Sequence, residues 1–418
     1  MSSNGSSASP VLSRRAVLAS AAVAAAAWVA APTVSDAVRG PRPTVPTPAP
    51  SAATTSQVPG RRPALPDRTV DLGDYAVGDG VTDDTARLND ALADLRAAGG
   101  GTLLVPDRAF RIQPKGWVYL ESDIGIRGVG PRSAFHLAPY GDDHTIGFCL
   151  AGERVSLENL AFERVDNVYG AMLDARGNHL WVSGCTFDGH LDRWPNDFSA
   201  IRVYVDAPAS MTMLTLTRTT VRRCGFGMYQ ASARTGAVSD ILVDACHFER
   251  NHASDLEFNA PSNSMSGCVV QDCTFRDNAS QGPGAGWGAG FANVQGGRVA
   301  RCSFDGYPMN AVHVEDRSSG ILLEDNAFVR ASHLDTGYAA PVQILSLSHD
   351  VDVRRNSFDT SRQANRVDCV WVGRGSSDAT KEPHDVRLTG NRARLAHGSR
   401  VLGQYGCHDV TETGTVLV

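Results

Sequence analysis

The stretch Leu180-Trp-Val-Ser-Gly-Cys-Thr-Phe187 decides the fold, because imperfect copies of it recur through the C-terminal two-thirds of the chain. Apolar residues alternate within each copy, which is the period of a strand and not of a helix. The copies lie roughly 22–39 residues apart, a spacing typical of solenoids. Because one short strand per unit can stack on its copies, the repeat predicts a coiled parallel β-structure with a continuous core. The further copies are Leu242–Phe248, Val269–Phe275, Val299–Phe304, Ile321–Phe328 and Val351–Phe358.

Five of the nine cysteines stand two residues before an aromatic residue in this repeat. We expect them to stack as an inward ladder of buried thiols rather than to form disulfides. Asparagine takes the same position in later copies, where amides hydrogen-bond along a stack. No Cys-x-x-Cys or Cys/His spacing indicates a metal, so no metal ligands are predicted from the cysteines. The cysteines are Cys185, Cys224, Cys246, Cys273 and Cys302, and the asparagines are Asn326, Asn356 and Asn391.

The first 66 residues have the composition of a targeting segment and a linker. Arg14 and Arg15 precede an alanine-rich apolar run that ends at Ala31, which predicts a twin-arginine signal peptide over residues 1–37. Residues 38–66 are rich in Pro, Ala, Thr and Ser and lack an apolar period, as in a linker. Residues 67–418 are therefore expected to form one domain that is secreted and extracellular, with no membrane attachment after cleavage.

An amphipathic helix is predicted near the start of this domain. Leu88, Ala91, Leu92 and Leu95 share one face, and Gly99-Gly-Gly101 ends the helix before the strand Thr102–Val105. Thr82 or Asp83 is the expected cap. Such a helix can cover the open end of a solenoid, whose first coil otherwise exposes apolar edges.

The run Asp74-Tyr-Ala-Val-Gly-Asp-Gly80, followed by Asp83-Asp-Thr85, resembles the start of the pectate-lyase/polygalacturonase-like family of right-handed parallel β-helices. The family pattern is D-Y-G-A-x-G-D-G-x-x-D-D-T before a helix and a G-G-G-T strand. This chain departs from it with Ala76 where Gly is usual and with one residue fewer before Gly78. The resemblance covers residues 70–418 and implies an all-β, right-handed parallel β-helix of about nine coils with an N-terminal capping α-helix. It implies carbohydrate chemistry only broadly, because the family holds hydrolases, lyases, epimerases and tailspike-like enzymes.

A second short strand follows each repeat copy, as in Ala200–Asp206, Gly227–Ala231, Ser254–Asn259 and Asn310–Glu315. Successive side chains of a strand point to opposite faces. The alternation predicts that Val203, Val205, Leu256, Phe258, Val312 and Val314 point inward. It predicts that Arg202, Tyr204, Asp206, Asp255, Glu257, Asn259, His313 and Glu315 point outward.

Stacking of these strands predicts a groove on one face of the solenoid. Neighbouring coils lie about 4.8 Å apart, which places Tyr204, Tyr229 and Glu257 in one row. His313 joins the row beyond a Gly-rich coil at residues 282–297, where small side chains leave room for a sugar ring. Trp287 and Trp371 flank the groove as platforms. Tyr204, Asn259, Glu315, Trp287 and Trp371 are the predicted substrate-binding residues.

Asp255 and Glu257 are the strongest catalytic candidates. Two residues apart on a strand, their Cβ atoms lie roughly 6.5–7 Å apart, close to the separation of about 6.5–9.5 Å that an inverting glycosidase needs between its acid and base. The alternative is that these outward carboxylates only solvate a sheet face.

Arg202, His313 and Tyr229 support a different chemistry, β-elimination from a uronate. Arg202 would neutralise the uronate carboxylate, His313 would take the C5 proton, and Tyr229 would protonate the leaving oxygen. An epimerase uses similar groups without breaking the chain. No cofactor is predicted, apart from Ca²⁺ as an option, because Asp255, Glu257 and Asn259 offer only three of the six to eight oxygens that this ion takes.

Together these patterns predict a secreted carbohydrate-active enzyme that cleaves a polysaccharide, with a uronate-containing one and β-elimination favoured. The alternatives are an inverting glycoside hydrolase that uses Asp255 and Glu257, a polysaccharide epimerase, and a non-catalytic carbohydrate-binding surface module. A net charge of −6 argues against nucleic acid as a partner. The protein is expected to be a monomer with a polysaccharide as its partner.

Overall fold

The computed structural model describes residues 60–141, 147–165, 170–191, 198–230, 235–260, 264–280, 285–334, 339–375, 378 and 380–418. The predicted signal peptide and the linker up to residue 59 lie outside the described residues. Residues 60–66 contain no strand, and Arg62 forms an ion pair with Glu158 at 2.7 Å.

The alternating apolar segments coil into three parallel sheets, and each coil gives one strand to each sheet in turn. Within the described residues the sheets contain 13, 12 and 11 strands, so the solenoid is longer than the nine coils expected. Every strand pairs in parallel with the equivalent strand one coil away. The predicted all-β parallel β-helix is therefore confirmed.

The first sheet consists of β1 (Thr69–Asp71), β2 (Gly101–Val105), β5 (Ile124–Gly128), β8 (Val155–Glu158), β11 (Leu180–Ser183), β14 (Ser210–Thr217), β17 (Ala237–Asp244), β20 (Met265–Gln271), β23 (Val294–Ala300), β26 (Ser319–Glu324), β29 (His349–Arg354), β32 (His384–Thr389) and β35 (Val410–Thr413). The second sheet consists of β3 (Ala109–Ile112), β6 (Ala134–Leu137), β9 (Ala161–Arg164), β12 (Thr186–Asp188), β15 (Thr220–Arg222), β18 (His247–Glu249), β21 (Thr274–Arg276), β24 (Ser303–Tyr307), β27 (Ala327–Ala331), β30 (Ser357–Asp359), β33 (Arg392–Arg394) and β36 (Val416–Leu417). The third sheet consists of β4 (Val118–Leu120), β7 (Phe148–Leu150), β10 (Ala171–Ala175), β13 (Ser199–Val203), β16 (Phe226–Gln230), β19 (Ser254–Asn259), β22 (Trp287–Ala292), β25 (Val312–Glu315), β28 (Val342–Leu345), β31 (Val370–Gly373) and β34 (Leu402–Tyr405).

The repeat phenylalanines form a stack through the core along the second sheet. The rings of Phe248, Phe275 and Phe304 lie nearly parallel, with centroids 4.9 and 4.4 Å apart, which is favourable when stacked rings are offset. Val221 interrupts the stack one coil before Phe248, and Ala393 takes the ring position at its far end. In-register parallel pairing therefore turns one repeated residue into a continuous apolar column.

A second column of buried groups lies at the corner between the first and second sheets. The backbone N–H of Cys246 donates to Cys273 Sγ at 3.3 Å, and that of Cys302 donates to Asn326 Oδ1 at 2.9 Å. All nine cysteines are free, and burial raises the pKa of Cys185 to about 12. The predicted thiol column thus forms and continues into asparagines.

Cys224 is an exception, and its predicted place in that column is wrong. Thr219 occupies the position instead, where its hydroxyl accepts from the backbone N–H of Cys185 at 3.3 Å. Cys224 lies at the next corner and its own N–H donates to Asn251 at 2.9 Å. The error arose because Phe226, two residues after Cys224, begins β16 of the third sheet and is not the repeat aromatic.

The capping helix, α1 (Thr85–Ala97), buries the predicted face of Leu88, Ala91, Leu92 and Leu95. Asp84 occupies the cap position but does not cap through its side chain. Its carboxylate instead accepts from the N–H groups of Val77 and Gly78 at 2.9 and 3.0 Å. The aspartates before the helix therefore hold the preceding turn against it. Among the described residues, no helix has the length and apolar character needed to cross a membrane.

Replacing Asn356 with alanine tests the asparagine column. Its amide accepts from Asn326 N–H at 2.9 Å and donates to the Leu323 carbonyl at 2.9 Å, so the substitution leaves two buried groups unpaired. We expect Asn356→Ala to lower the free energy of unfolding by about 3 kcal/mol or more, measured by urea denaturation. Asn89→Ala, at an exposed position of α1, is the control and should change it by less than about 0.5 kcal/mol. Equal unfolding midpoints for the two variants would contradict the role given to the column.

Candidate active site

One row of outward positions runs the length of the third sheet. In-register pairing places Arg202 beside Tyr229, Tyr229 beside Glu257, and Gly290 between Glu257 and His313. The predicted row of Tyr229, Glu257, a glycine coil and His313 is therefore confirmed. From β4 to β34 the row is Tyr119, Cys149, Asp174, Arg202, Tyr229, Glu257, Gly290, His313, Gln343, Trp371 and Gly403.

Tyr204 does not belong to this row, so that prediction is wrong by two residues. Arg202, and not Tyr204, is the register partner of Tyr229. Tyr204 follows the end of β13 and packs against guanidinium groups, with Arg176 and Arg202 4.6 and 4.7 Å from its ring centre. Its place in the groove is therefore beside the arginines and not beside Glu257.

The glycine of the row brings Glu257 and His313 together across one intervening strand. His313 Nε2 lies 3.3 Å from Glu257 Oε1. A Cβ atom at Gly290 would lie 2.4 Å from His313 Nε2 and 2.8 Å from Glu257 Oε1. The space that the sequence predicted for a sugar ring is therefore filled by the histidine ring, and any larger residue at 290 would displace it.

Glu315 completes a compact group with these two side chains. Its Oε1 lies 3.8 Å from His313 Nε2, and one ligand atom from each of Glu257, His313 and Glu315 lies within 4.8 Å of the others. Ser254 Oγ donates to the second oxygen of Glu257 at 2.9 Å, and the ring of Trp287 meets that of His313 edge-on at 5.9 Å. We refer to Glu257, His313 and Glu315 as the Glu–His–Glu group.

Electrostatics within the Glu–His–Glu group separate the proton affinities of its members. Burial alone would lower the pKa of His313, but the Glu257 carboxylate, with Glu315 and Asp316, raises it to about 9. Burial raises the pKa of Glu315 to about 7, opposed by the His313 cation and reinforced by Asp316 and Glu257. At neutral pH His313 is a proton donor, whereas its predicted role as a base requires a pH above about 9.

Asp255 does not lie on the outer face, so its predicted pairing with Glu257 is wrong. Its side chain is 1% exposed and accepts hydrogen bonds from Tyr307 Oη and from Asn251 Nδ2, the latter at 2.7 Å. Leu256 is buried as well, so strict alternation fails at the start of β19. Burial raises the pKa of Asp255 to about 7, against the hydrogen bonds of Tyr307 and Asn251. The geometry of an inverting Asp255/Glu257 pair is therefore absent.

Because Asp255 does not lie on the outer face, Asp255, Glu257 and Asn259 cannot together bind Ca²⁺ as considered from the sequence. Asn259 lies on the outer face, in a neighbouring row that continues through Ala292 to Glu315. The cluster that can hold a cation in the described residues is instead the Glu–His–Glu group. Within this group His313 Nε2 lies 3.3 Å from Glu257 Oε1 and 3.8 Å from Glu315 Oε1.

Sequence reasoning missed a cluster at the N-terminal side of the groove. Asp174, fully buried, accepts from Arg202 Nε at 2.7 Å and from Arg176 Nε at 2.9 Å. The Arg202 guanidinium also lies 5.5 Å from the ring of Trp117. Extending the strand alignment one coil before Ala200 would have found it, because Asp174 is the register partner of Arg202.

Comparison with known proteins agrees with this architecture. The family model described as "Right handed beta helix region" matches residues 146–328. A search of the curated proteins found no match.

Among solved structures, DFA-IIIase from Arthrobacter chlorophenolicus A6 in complex with GF2 is similar at 13% identity over 83% of this chain and 95% of that one, with a TM-score of 0.56. A hyperthermoactive exopolygalacturonase from Thermotoga maritima is similar at 14% identity over 85% and 93%, with a TM-score of 0.51. PfbA, a surface adhesin of Streptococcus pneumoniae, is similar at 12% identity over 83% and 91%, with a TM-score of 0.50. At these identities the likeness concerns the fold.

The buried carboxyl of Asp255 predicts a pH-dependent stability. Its pKa of about 7 in the folded protein exceeds the value of about 3.9 for an unfolded chain, so its contribution is full below about pH 4 and is lost as pH rises through about 7. That contribution amounts to roughly 4 kcal/mol. Urea denaturation of wild type and Asp255→Asn between pH 4 and 8 should show a fall that is smaller in the variant by about this amount, because Glu315 still titrates near pH 7 in both proteins. The exposed Asp90→Asn is the control and should keep the wild-type slope.

Substitution of Gly290 by alanine tests how His313 is held. The new Cβ displaces the ring from Glu257, so the pKa of His313 should fall from about 9 toward its ordinary value of about 6.5. Histidine titration followed by NMR measures this change. His247, paired with Glu249 on the second sheet at 3.0 Å, is an internal reference that should not move. An unchanged titration of His313 in Gly290→Ala would refute the steric argument.

Proposed function

We propose that this right-handed parallel β-helix is a carbohydrate-active enzyme that cleaves glycosidic bonds in the groove of its third sheet. Glu315 is the general acid and Glu257 is the nucleophile. The observation that carries the proposal is the Glu–His–Glu group, in which two carboxylates flank one imidazolium and the pKa of Glu315 is about 7. Two carboxyl groups whose environments differ in this way can divide acid and base roles.

The separation of the two glutamates favours retention of configuration at the anomeric carbon. An oxygen of each lies within 4.8 Å of the other, which is closer than the separation of about 6.5–9.5 Å between the carboxyl groups of inverting glycosidases. Glu315 gives its proton to the glycosidic oxygen as Glu257 attacks the anomeric carbon and the bond to the leaving sugar breaks. Water then attacks this glycosyl-enzyme while Glu315 takes back a proton, which frees Glu257.

The residues around Glu257 hold its carboxylate in place. Ser254 donates to one of its oxygens and His313 lies 3.3 Å from the other. The side chain of Ser254 is buried, since the residue is 1% exposed, and Gly290 leaves the histidine in reach. Two of the similar structures have names that refer to carbohydrate enzymes, DFA-IIIase and an exopolygalacturonase, and this supports the substrate class proposed here.

β-Elimination from a uronate, the reaction favoured by the sequence, is a second candidate. It is supported by the register that sets Arg202 beside Tyr229 and Tyr229 beside Glu257. In this reaction Arg202 faces the uronate carboxylate, Glu257 or Tyr229 takes the C5 proton, and the His313 cation protonates the leaving oxygen. Export through the predicted twin-arginine segment would place either reaction outside the cell, where such polymers occur.

The test incubates purified protein with neutral and uronic-acid polysaccharides and follows new reducing ends and new ultraviolet absorbance together. Reducing ends without absorbance, and NMR that shows retained anomeric configuration, are the expected result. Reducing ends with absorbance would replace hydrolysis by β-elimination. Binding without either signal would support a surface binding module, as the name of the similar adhesin suggests, and would refute the enzyme proposal.

Conservative variants of the two glutamates should abolish cleavage. Glu257→Gln and Glu315→Gln should each lower kcat by about 10²–10⁴-fold, and wild-type kcat/KM should fall above about pH 7 as Glu315 loses its proton. Glu249→Gln is the matched control, because Glu249 also pairs with a histidine, His247, but on the second sheet. Full activity in either groove variant would remove that residue from the mechanism.

A further inference from the structure

A second arginine–aspartate cluster lies at the C-terminal side of the same groove. Asp368, 5% exposed, accepts from Arg400 Nη2 at 2.8 Å and from Arg366 Nη2 at 3.2 Å. Gly403, at the end of the outward row, shows that this carboxylate reaches the groove face. A Cβ there would lie 2.4 Å from Asp368 Oδ2 and 2.5 Å from the ring of Trp371.

This cluster has the same construction as the one around Asp174. Each consists of two guanidinium groups fixed by one buried carboxylate and lies beside an aromatic ring, Tyr204 in one and Trp371 in the other. Each carries a net charge of about +1 at neutral pH. Burial would raise the pKa of Asp368, but Arg400 and Arg366 lower it below its usual value, so the carboxylate stays ionised. We call these the Asp174 cluster and the Asp368 cluster.

The arginines keep surface available for a ligand. The side chains of Arg366 and Arg400 are 52% and 50% exposed, and those of Arg176 and Arg202 are 35% and 22% exposed. A guanidinium has five donors in a fixed fork that matches carboxylate and sulfate groups. Because a buried aspartate already orders each pair, little side-chain entropy is lost when an anion binds.

The spacing of the clusters gives the length of the ligand. Arg202 is on β13, Trp371 is on β31, and six strand steps separate these strands in the sheet, or about 29 Å at about 4.8 Å per step. Glu257 and His313 lie between them in the same row. An extended chain of several sugars is needed to reach both clusters past the Glu–His–Glu group.

We propose that the Asp174 and Asp368 clusters are two anion subsites that together bind one extended acidic polysaccharide, through carboxylate or sulfate groups on sugars at both ends of the groove. The polymer then crosses the Glu–His–Glu group between its anchored segments and is cut within its length. The cutting rests on the function proposed above, whereas the two-site binding does not.

The test measures binding of oligosaccharides of increasing length by calorimetry, with Glu257→Gln used to prevent turnover. The probes are oligogalacturonates, heparin-derived sulfated oligosaccharides and neutral cello-oligosaccharides. We expect affinity for one or both acidic series to rise at least tenfold once the oligomer is long enough to reach both clusters, and to weaken with salt. The series that shows the step identifies carboxylate or sulfate as the group bound. No step in either acidic series, or an equal step in the neutral series, overturns the proposal.

A variant without charge at the Asp368 cluster tests the assignment of residues. Replacing Arg366 and Arg400 by Gln together with Asp368→Asn leaves no unpaired buried carboxylate, and it should remove the length step while short acidic oligomers still bind at the Asp174 cluster. Its matched control is Asp352→Asn with Arg387→Gln, an ion pair of 2.6 Å on the first sheet. A length step that persists in the triple variant overturns the role of the Asp368 cluster.

The outcomes for binding and for cleavage are separate. A length step without any cleavage by wild type supports two-site binding and refutes the proposed function. Cleavage of neutral polymers with no length step in the acidic series supports the proposed function and refutes two-site binding.

Discussion

In-register parallel pairing is the constraint on which the rest of the structure depends. Each strand hydrogen-bonds to the equivalent strand of the next coil, so a residue type at one position of the repeat becomes a column along the whole solenoid. Phenylalanine rings, with Val221 as the one aliphatic member, form the core column from Phe110 to Phe358. The same rule applied to the outer face of the third sheet produces the row that holds Glu257 and His313. Core and site are thus two results of a single geometric rule.

The sequence was sufficient wherever this rule acted alone. Alternation and repeat spacing predicted the fold, the capping helix, most of the thiol column and the neighbours Tyr229, Glu257 and His313. Prediction from sequence failed where the local backbone geometry departs from the repeat. The side chain of Asp255 turns inward at the start of β19, where alternation fails. There it accepts a hydrogen bond from Tyr307, a residue far along the chain. The predicted positions of Cys224 and Tyr204 were wrong because an aromatic or apolar neighbour in a different strand fitted the repeat pattern.

The chemistry of the groove depends on a glycine, Gly290, whose lack of a side chain leaves space between Glu257 and His313. Gly290 lets the His313 ring reach across a strand to Glu257, and this contact raises the pKa of the imidazole. The resulting cation opposes, without cancelling, the rise that burial causes in the pKa of Glu315. A glycine can be read from sequence, but the direction in which a neighbouring ring leans cannot. The same holds for the arginine clusters, whose buried aspartates are recognisable only when residues far apart in the chain are brought into register.

The column of reduced cysteines affects whether unfolding of this protein is reversible. Cys246, Cys273 and Cys302 lie on adjacent coils inside the core, where oxidants in solution cannot reach them while the coils stay closed. If the chain unfolds in an oxidising medium, these thiols become free to form mismatched disulfides that prevent return to the coil. Unfolding there is then irreversible, and survival of the protein is set by the rate at which its coils open and not by the equilibrium between folded and unfolded states.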